Sequence, residues 1–199
     1  MPTSDLERLF ALLGDPPTHV TPTPWELALP EAGLRFPTDY RAIIDRYGSF
    51  ELHRYLTVRG PSLRRPQIDM PNGFPGFAEF SQLEAENALL PENSMTEPTP
   101  DEALITGPAD LLCWGGNIAG DRLFWLTIGE PDDWPIMIWF CGSWTLVHSS
   151  LAKFLADTIT WALPEEHCVI PIQGPENPDW WPGAEIPPLL TCIGDWATP

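Results

Sequence analysis

Residues 111–140 read LLCWGGNIAGDRLFWLTIGEPDDWPIMIWF, and this stretch decides the fold. It divides into three apolar runs, Leu111–Trp114, Arg122–Thr127 and Ile136–Phe140. Gly115-Gly116-Asn117 and Gly120-Asp121 lie in the first gap, and Gly129-Glu130-Pro131-Asp132-Asp133 fills the second. Gly and Asn tolerate positive φ and Asp side chains bond their own turns, so both gaps suit reversals between antiparallel neighbours. In the middle run Leu123, Trp125 and Thr127 alternate with Phe124, Leu126 and Ile128. Both faces are therefore largely apolar, which predicts a central strand covered on both sides.

Downstream, a turn at Cys141-Gly142-Ser143 leads to a fourth strand over Trp144–His148. Ser149 or Ser150 then caps a helix reaching about Leu163, packed through Leu151, Phe154, Leu155, Ile159 and Trp161, and Pro164 stops it. Upstream, a helix is predicted over Phe74–Leu90, with Phe77, Phe80, Leu83, Asn87 and Leu90 on one side and Glu79, Glu84 and Glu86 away from it. Phe50–Leu52 and Tyr55–Val58 read as strands. Before them a helix opens at Pro37 or Thr38, packs through Tyr40, Ile43, Ile44 and Tyr47, and ends at Gly48. Trp25–Ala32 suits a helical turn or two. Ser4 and Glu7 form a capping box for a first helix ending at Gly14, and residues 15–24 are a Pro/Thr linker.

The expected class is α+β: one domain with a mostly antiparallel central sheet of about four to six strands flanked by helices. Its expected divisions are an N-terminal helix and linker at 1–24, the α+β domain at 25–163, and a Pro/Trp-rich tail at 164–199. The tail carries eight prolines and three tryptophans. Its proline density argues against regular structure, and its tryptophans against full disorder.

The chain has 199 residues and a formal net charge of −18. From Pro66 to Asp121 there is no Lys, Arg or His, while ten acids occur; after Lys153 there is again no Lys or Arg. Direct nucleic-acid binding needs clustered cations on phosphates and is disfavoured, as is an anionic membrane surface. A basic protein partner is the natural complement, and solubility alone is the plainer reading. No run of 18 apolar residues suggests a spanning helix. The acidic start has no signal-peptide pattern, so a cytoplasmic protein is expected.

The cysteines Cys113, Cys141, Cys168 and Cys192 contain no C-x-x-C pair, against a zinc or dithiol motif. Cys113 and Cys141 are expected to be buried thiols. His148 beside Ser149 and Ser150 could suggest a nucleophile site, but a strand-end histidine beside a helix cap is the simpler account. Asp132-Asp133 and Glu165-Glu166 suit solvated turns better than catalysis. Gly115-Gly116 lacks the following helix and basic residue that a phosphate cradle needs. No catalytic residue, cofactor or metal is expected.

One resemblance is specific. Leu34-x-Phe36-Pro37-x-Asp39-Tyr40 followed by Arg46-Tyr47-Gly48 resembles the opening signature of the SUKH superfamily, which joins a fungal cell-wall assembly regulator to bacterial immunity proteins. Trp114-Gly115, Gly120-Asp121-Arg122-Leu123-Phe124-Trp125 and Trp134-Pro135-Ile136 resemble its glycine–acid turn and central strands, and Leu151–Ile159 its final helix. The likeness covers roughly residues 25–160. It implies an α+β domain that acts by binding, as an antitoxin neutralising a cognate toxin, often a nuclease; the fungal branch implies instead a regulatory or scaffold module with no toxin. The residues expected to face the partner are Glu79, Glu84, Glu86, Asp121, Asp132 and Asp133, read as exposed acids near the sheet edge and loops. Trp134 is either an aromatic anchor or a packing residue beneath its turn. A homo-oligomer is left open.

Overall fold

The computed structural model of the chain describes residues 4–62, 69–93, 99–164 and 189–196. Helix α1 (Asp5–Leu13) opens on the predicted capping box: the Glu7 N–H donates to Ser4 Oγ at 3.2 Å, and the Ser4 N–H to the Glu7 carboxylate at 2.9 Å. A 3-10 turn over Trp25–Leu27 runs into α2 (Ala28–Ala32), and α3 spans Thr38–Tyr47. Then come β1 (Ser49–Leu52), β2 (Leu56–Val58), α4 (Gly73–Ala88), β3 (Leu111–Asn117), β4 (Arg122–Leu126), β5 (Ile136–Phe140), β6 (Ser143–Val147), α5 (Leu151–Ile159) and β7 (Leu190–Gly194).

The class is α+β. Among the described residues seven strands form one sheet in the order β6-β5-β4-β3-β2-β1-β7, with every neighbouring pair antiparallel. That is more than the four to six strands read from the sequence. Part of the excess is β7, from a tail expected to lack regular structure. Prolines 187 and 188 end just before it, and the run that follows, Leu190-Thr191-Cys192-Ile193, has ordinary strand chemistry. The strand pairs with β1, Phe50 opposite Cys192. Trp180 and Trp181 lie outside the described residues.

Alternation along the strands divides the interior in two. Leu112, Trp114, Leu123, Trp125, Ile136 and Ile138 join Leu9 of α1, Tyr40 and Ile43 of α3, and Phe154 and Leu155 of α5. Leu111, Cys113, Phe124, Leu126, Met137 and Trp144 join Phe80, Ala85 and Ala88 of α4. Strand β4 is therefore covered on both faces, as its sequence predicted.

Three local departures have clear causes. Strand β3 runs through Gly115 and Gly116 instead of turning there. A Cβ at Gly115 would sit 2.5 Å from the Thr57 carbonyl oxygen, and one at Gly116 would sit 2.7 Å from that of Asp121, so the glycines admit a bulge and a close backbone approach. Helix α5 stops at Ile159 because Trp161 turns left-handed (φ 56°). The Ala162 N–H then reaches the Asp157 carbonyl at 2.8 Å and the Trp161 N–H that of Thr158 at 3.3 Å, a Schellman closure. Cys141 is exposed, not buried, because it and Gly142 form the two-residue β5–β6 turn with φ of 48° and 84°. Cys113 is buried as expected.

Among the described residues no helix is long and apolar enough to cross a membrane.

Candidate functional site: a cleft and the helix face beside it

Strand β2 pairs only with Gly115–Asn117, leaving the first half of β3 without a strand on that side. Helix α4 fills the vacancy. Its Ser81 Oγ accepts from the Cys113 N–H at 2.6 Å, taking the place of a ladder carbonyl. The helix approaches this closely because small residues face inward: Ser81, Ala85 and Ala88 are all buried.

That approach reverses part of the sequence reading of α4. Leu83, Asn87 and Leu90 were expected on the buried side, yet Leu83 is 42% and Leu90 38% exposed, and Asn87 is exposed too. Glu79 and Glu86 are exposed, as expected. Glu79, Leu83 and Glu86 stand four and three residues apart and so share one outward line of the helix. Leu90 follows two residues after the helix ends.

Glu84 does not belong to this exposed set. It points toward the sheet and pairs with Arg122 of β4, with only 14% of its side chain exposed. Asp121 is also misplaced by the sequence reading, at 5% exposure. Its carboxylate accepts from the Asn117 amide inside the β3–β4 turn. Burial pushes the Asp121 carboxyl above its usual range, opposed by the Asn117 bond and the Arg122 charge. Both acids are internal to the fold, because each found a polar partner near in space.

The β4–β5 loop is held at several points. Trp134 is buried and its indole N–H donates to the Gly129 carbonyl at 3.2 Å, so it packs beneath the turn. Glu130 pairs with Arg35. Asp132 accepts from the Thr38 hydroxyl at 2.9 Å and from the Thr38 backbone N–H at 2.5 Å, capping α3 from outside the helix. Asp133 is exposed. The loop thus presents Glu130, Asp132 and Asp133 on a fixed backbone.

Between this loop and α4 lies a cleft of about 440 Å³, lined by Ala78, Ser81 and Gln82 on the helix side and Thr127, Gly129 and Trp134 on the other. Among the described residues Arg35 is the one charged residue of the lining, and its guanidinium is paired with Glu130.

The residues that suggested chemistry have structural roles. Ser150 Oγ accepts from the Lys153 N–H at 3.2 Å, capping α5, and the Ser149 hydroxyl donates to the Ser150 carbonyl at 3.1 Å. His148 is exposed at the end of β6. Burial pushes the Cys113 thiol up to about 12, far from a thiolate at neutral pH. Among the described residues no three His, Cys, Asp or Glu side chains are grouped to hold a metal ion. Glu165, Glu166 and Cys168 lie outside them.

The residues behind the family resemblance also serve the fold. Asp39 accepts from the Ala152 N–H at 2.8 Å, capping α5 from α3. The Tyr40 hydroxyl donates to the Arg59 carbonyl at 2.6 Å and the Tyr47 hydroxyl to that of Gly14 at 2.7 Å. Gly48 turns left-handed, and a Cβ there would meet the Gly194 carbonyl oxygen at 2.3 Å.

In comparisons with protein-family models, with curated proteins and with solved structures, nothing matches the chain.

Proposed function

We propose that this chain is an immunity-type protein: it acts by binding, without catalysis, and neutralises a cognate basic toxin such as a nuclease inside the cell that makes it. The observation that carries the reading is a pair of acid-bearing elements, α4 and the β4–β5 loop, that both border one cleft, although the cleft's own lining holds no Asp or Glu among the described residues. Glu79 and Glu86 project from α4, and Glu130, Asp132 and Asp133 from the pinned β4–β5 loop. Complementary charge of this kind steers encounter with a basic partner and rejects acidic ones. The residue pattern resembling the SUKH superfamily gives independent support, because its bacterial members include immunity proteins.

The test is a toxin assay. The full chain is mixed with the basic toxin domain encoded beside its gene, and the toxin's activity is followed at low and moderate salt. The expected result is stoichiometric inhibition, with association slowed as salt rises. Asp133→Lys should slow association several-fold and reduce its salt sensitivity. Asp132 is the poorer choice for reversal, because it caps α3 and its loss would also loosen the fold. Failure to bind any basic toxin would overturn the reading in favour of a regulatory or scaffold module.

A further inference from the structure

We infer that the outward line of α4, formed by Glu79, Leu83 and Glu86 with Leu90 just beyond, docks a cationic amphipathic helix of the partner protein. This deepens the reading of a basic partner and rests on it. Its starting point is the pair of leucines left exposed along the outer side of α4 and at its end. The inner side of the helix is filled by Phe74, Phe77, Phe80, Ser81, Ala85 and Ala88, yet Leu83 on the outer line and Leu90 just past the helix end stay more than a third exposed, a second apolar strip that the core does not use. Leu83 and Leu90 are seven residues apart, the sequence repeat of an apolar seam between two helices, with Leu90 following the last turn of α4.

Charge selects the occupant. Glu79 and Glu86 stand beside the seam at the same seven-residue interval, and α4 carries no Lys or Arg. A facing helix with leucine-type residues at that repeat and Lys or Arg beside them would satisfy both features. A second copy of this chain fits poorly: antiparallel pairing sets Glu79 against Glu86, and parallel pairing sets each against itself. An anionic lipid surface is repelled by the same carboxylates. The chain's undescribed segments after residue 93 contain no Lys or Arg and so lack the complementary charge, and segment 63–68, which holds Arg64 and Arg65, has only six residues with Pro66 among them, too few for a facing helix. Among the described residues the cations beside α4 are engaged: Arg122 pairs with Glu84, and the Arg59 guanidinium lies 4.6 Å over the Phe80 ring. Gln82 stands between the seam and the cleft, so a helix lying on α4 has the cleft within reach of one side chain.

The probe is a fluorescent synthetic 18-residue peptide of Leu, Lys and Ala with leucines at heptad spacing, compared with a scrambled peptide of the same composition. Binding to the full chain is read by anisotropy at low and moderate salt. The amphipathic peptide should bind about tenfold more tightly than the scrambled one. Leu83→Ala with Leu90→Ala should abolish that difference. Glu79→Lys with Glu86→Lys should weaken binding at least tenfold at low salt, while Asp5→Lys with Asp15→Lys, an equal change of net charge on exposed acids outside α4, should change it less than threefold. Circular dichroism and urea midpoints of all variants confirm that the fold persists. Equal binding of the two peptides, or equal loss from both pairs of charge reversals, would reduce the interaction to bulk charge and overturn the inference.

The toxin assay separates this inference from the reading beneath it. A toxin inhibited equally by wild type and by the α4 variants sinks the docking face and leaves the immunity reading intact. Peptide binding at α4 with no toxin inhibited does the reverse.

Discussion

Ser81 shows how one hydroxyl replaces a strand. The Cys113 N–H points where a neighbouring strand's carbonyl would be, and β2 is too short to supply it. Ser81→Ala leaves that buried donor unpaired and should destabilise the protein by about 1–3 kcal/mol, read as a lower urea midpoint with unchanged slope. Asp39 offers a sharper comparison. Burial pushes its carboxyl above the usual range, although it accepts backbone N–H bonds from Ala152 and Tyr40. The folded protein therefore holds this proton to higher pH than the unfolded chain. Its contribution to stability falls as pH rises from the ordinary carboxylate value through the raised one. Asp39→Asn keeps an acceptor and removes the buried charge, so its stability relative to wild type should improve across that interval. Asp39→Ala loses the cap and should cost about 1–2 kcal/mol at neutral pH. None of these partnerships is visible in sequence, since Ser81 and Cys113 are 32 residues apart and Asp39 and Ala152 are 113 apart. The same blindness placed Glu84 and Asp121 on the surface. Charge is written in the sequence, but the Arg122 and Asn117 that turned these acids inward are found only in the fold.

Helices α1 and α5 are clamped by Asp157, which pairs with Arg8 of α1 and Lys153 of its own helix. Burial pulls the Asp157 carboxyl upward, but its bonds to Lys153 and Arg8 hold it below the usual range. The clamp's stability is therefore present above the ordinary carboxylate value and is lost as pH falls through the lowered one. Asp157→Asn should cost about 1–2 kcal/mol at neutral pH, with the deficit closing in paired urea titrations as pH falls below the ordinary carboxylate range. Strand β6 is an edge whose outward groups are covered: the Thr99 hydroxyl donates to the Trp144 carbonyl at 2.9 Å, and the Leu146 N–H donates to Asp101 at 2.8 Å. Asp101→Ala should leave this edge able to pair between molecules, seen as concentration-dependent association in light scattering. The periodicity of β3 to β6 was plain in the sequence because both faces are apolar and each gap holds turn residues. The buried side of α4 was legible only in part: Phe77 and Phe80 lie inside as their spacing indicates, but further along the helix the small Ser81, Ala85 and Ala88 meet the strand edge and leave Leu83 outside.

Across the whole molecule, the charge that suits a basic partner works against the fold. A net −18 repels itself, so added salt should raise the melting temperature while weakening partner association. Thermal melts and binding rates over the same salt series would show these opposite slopes. The class of the fold was legible from one thirty-residue stretch, whereas the last strand was hidden by the prolines that precede it. That strand has a further consequence, which concerns time. Its register partner β1 is made early and β7 late, with roughly 140 residues of synthesis between them, or about 7–28 s at about 5–20 residues per second. Throughout that interval β1 carries an open edge on the nascent chain, and Phe74 lacks the Trp196 ring that meets it at 5.1 Å. A chain released before residue 190 was made would therefore carry a sheet unfinished on the β1 side, a natural client for chaperones and proteases.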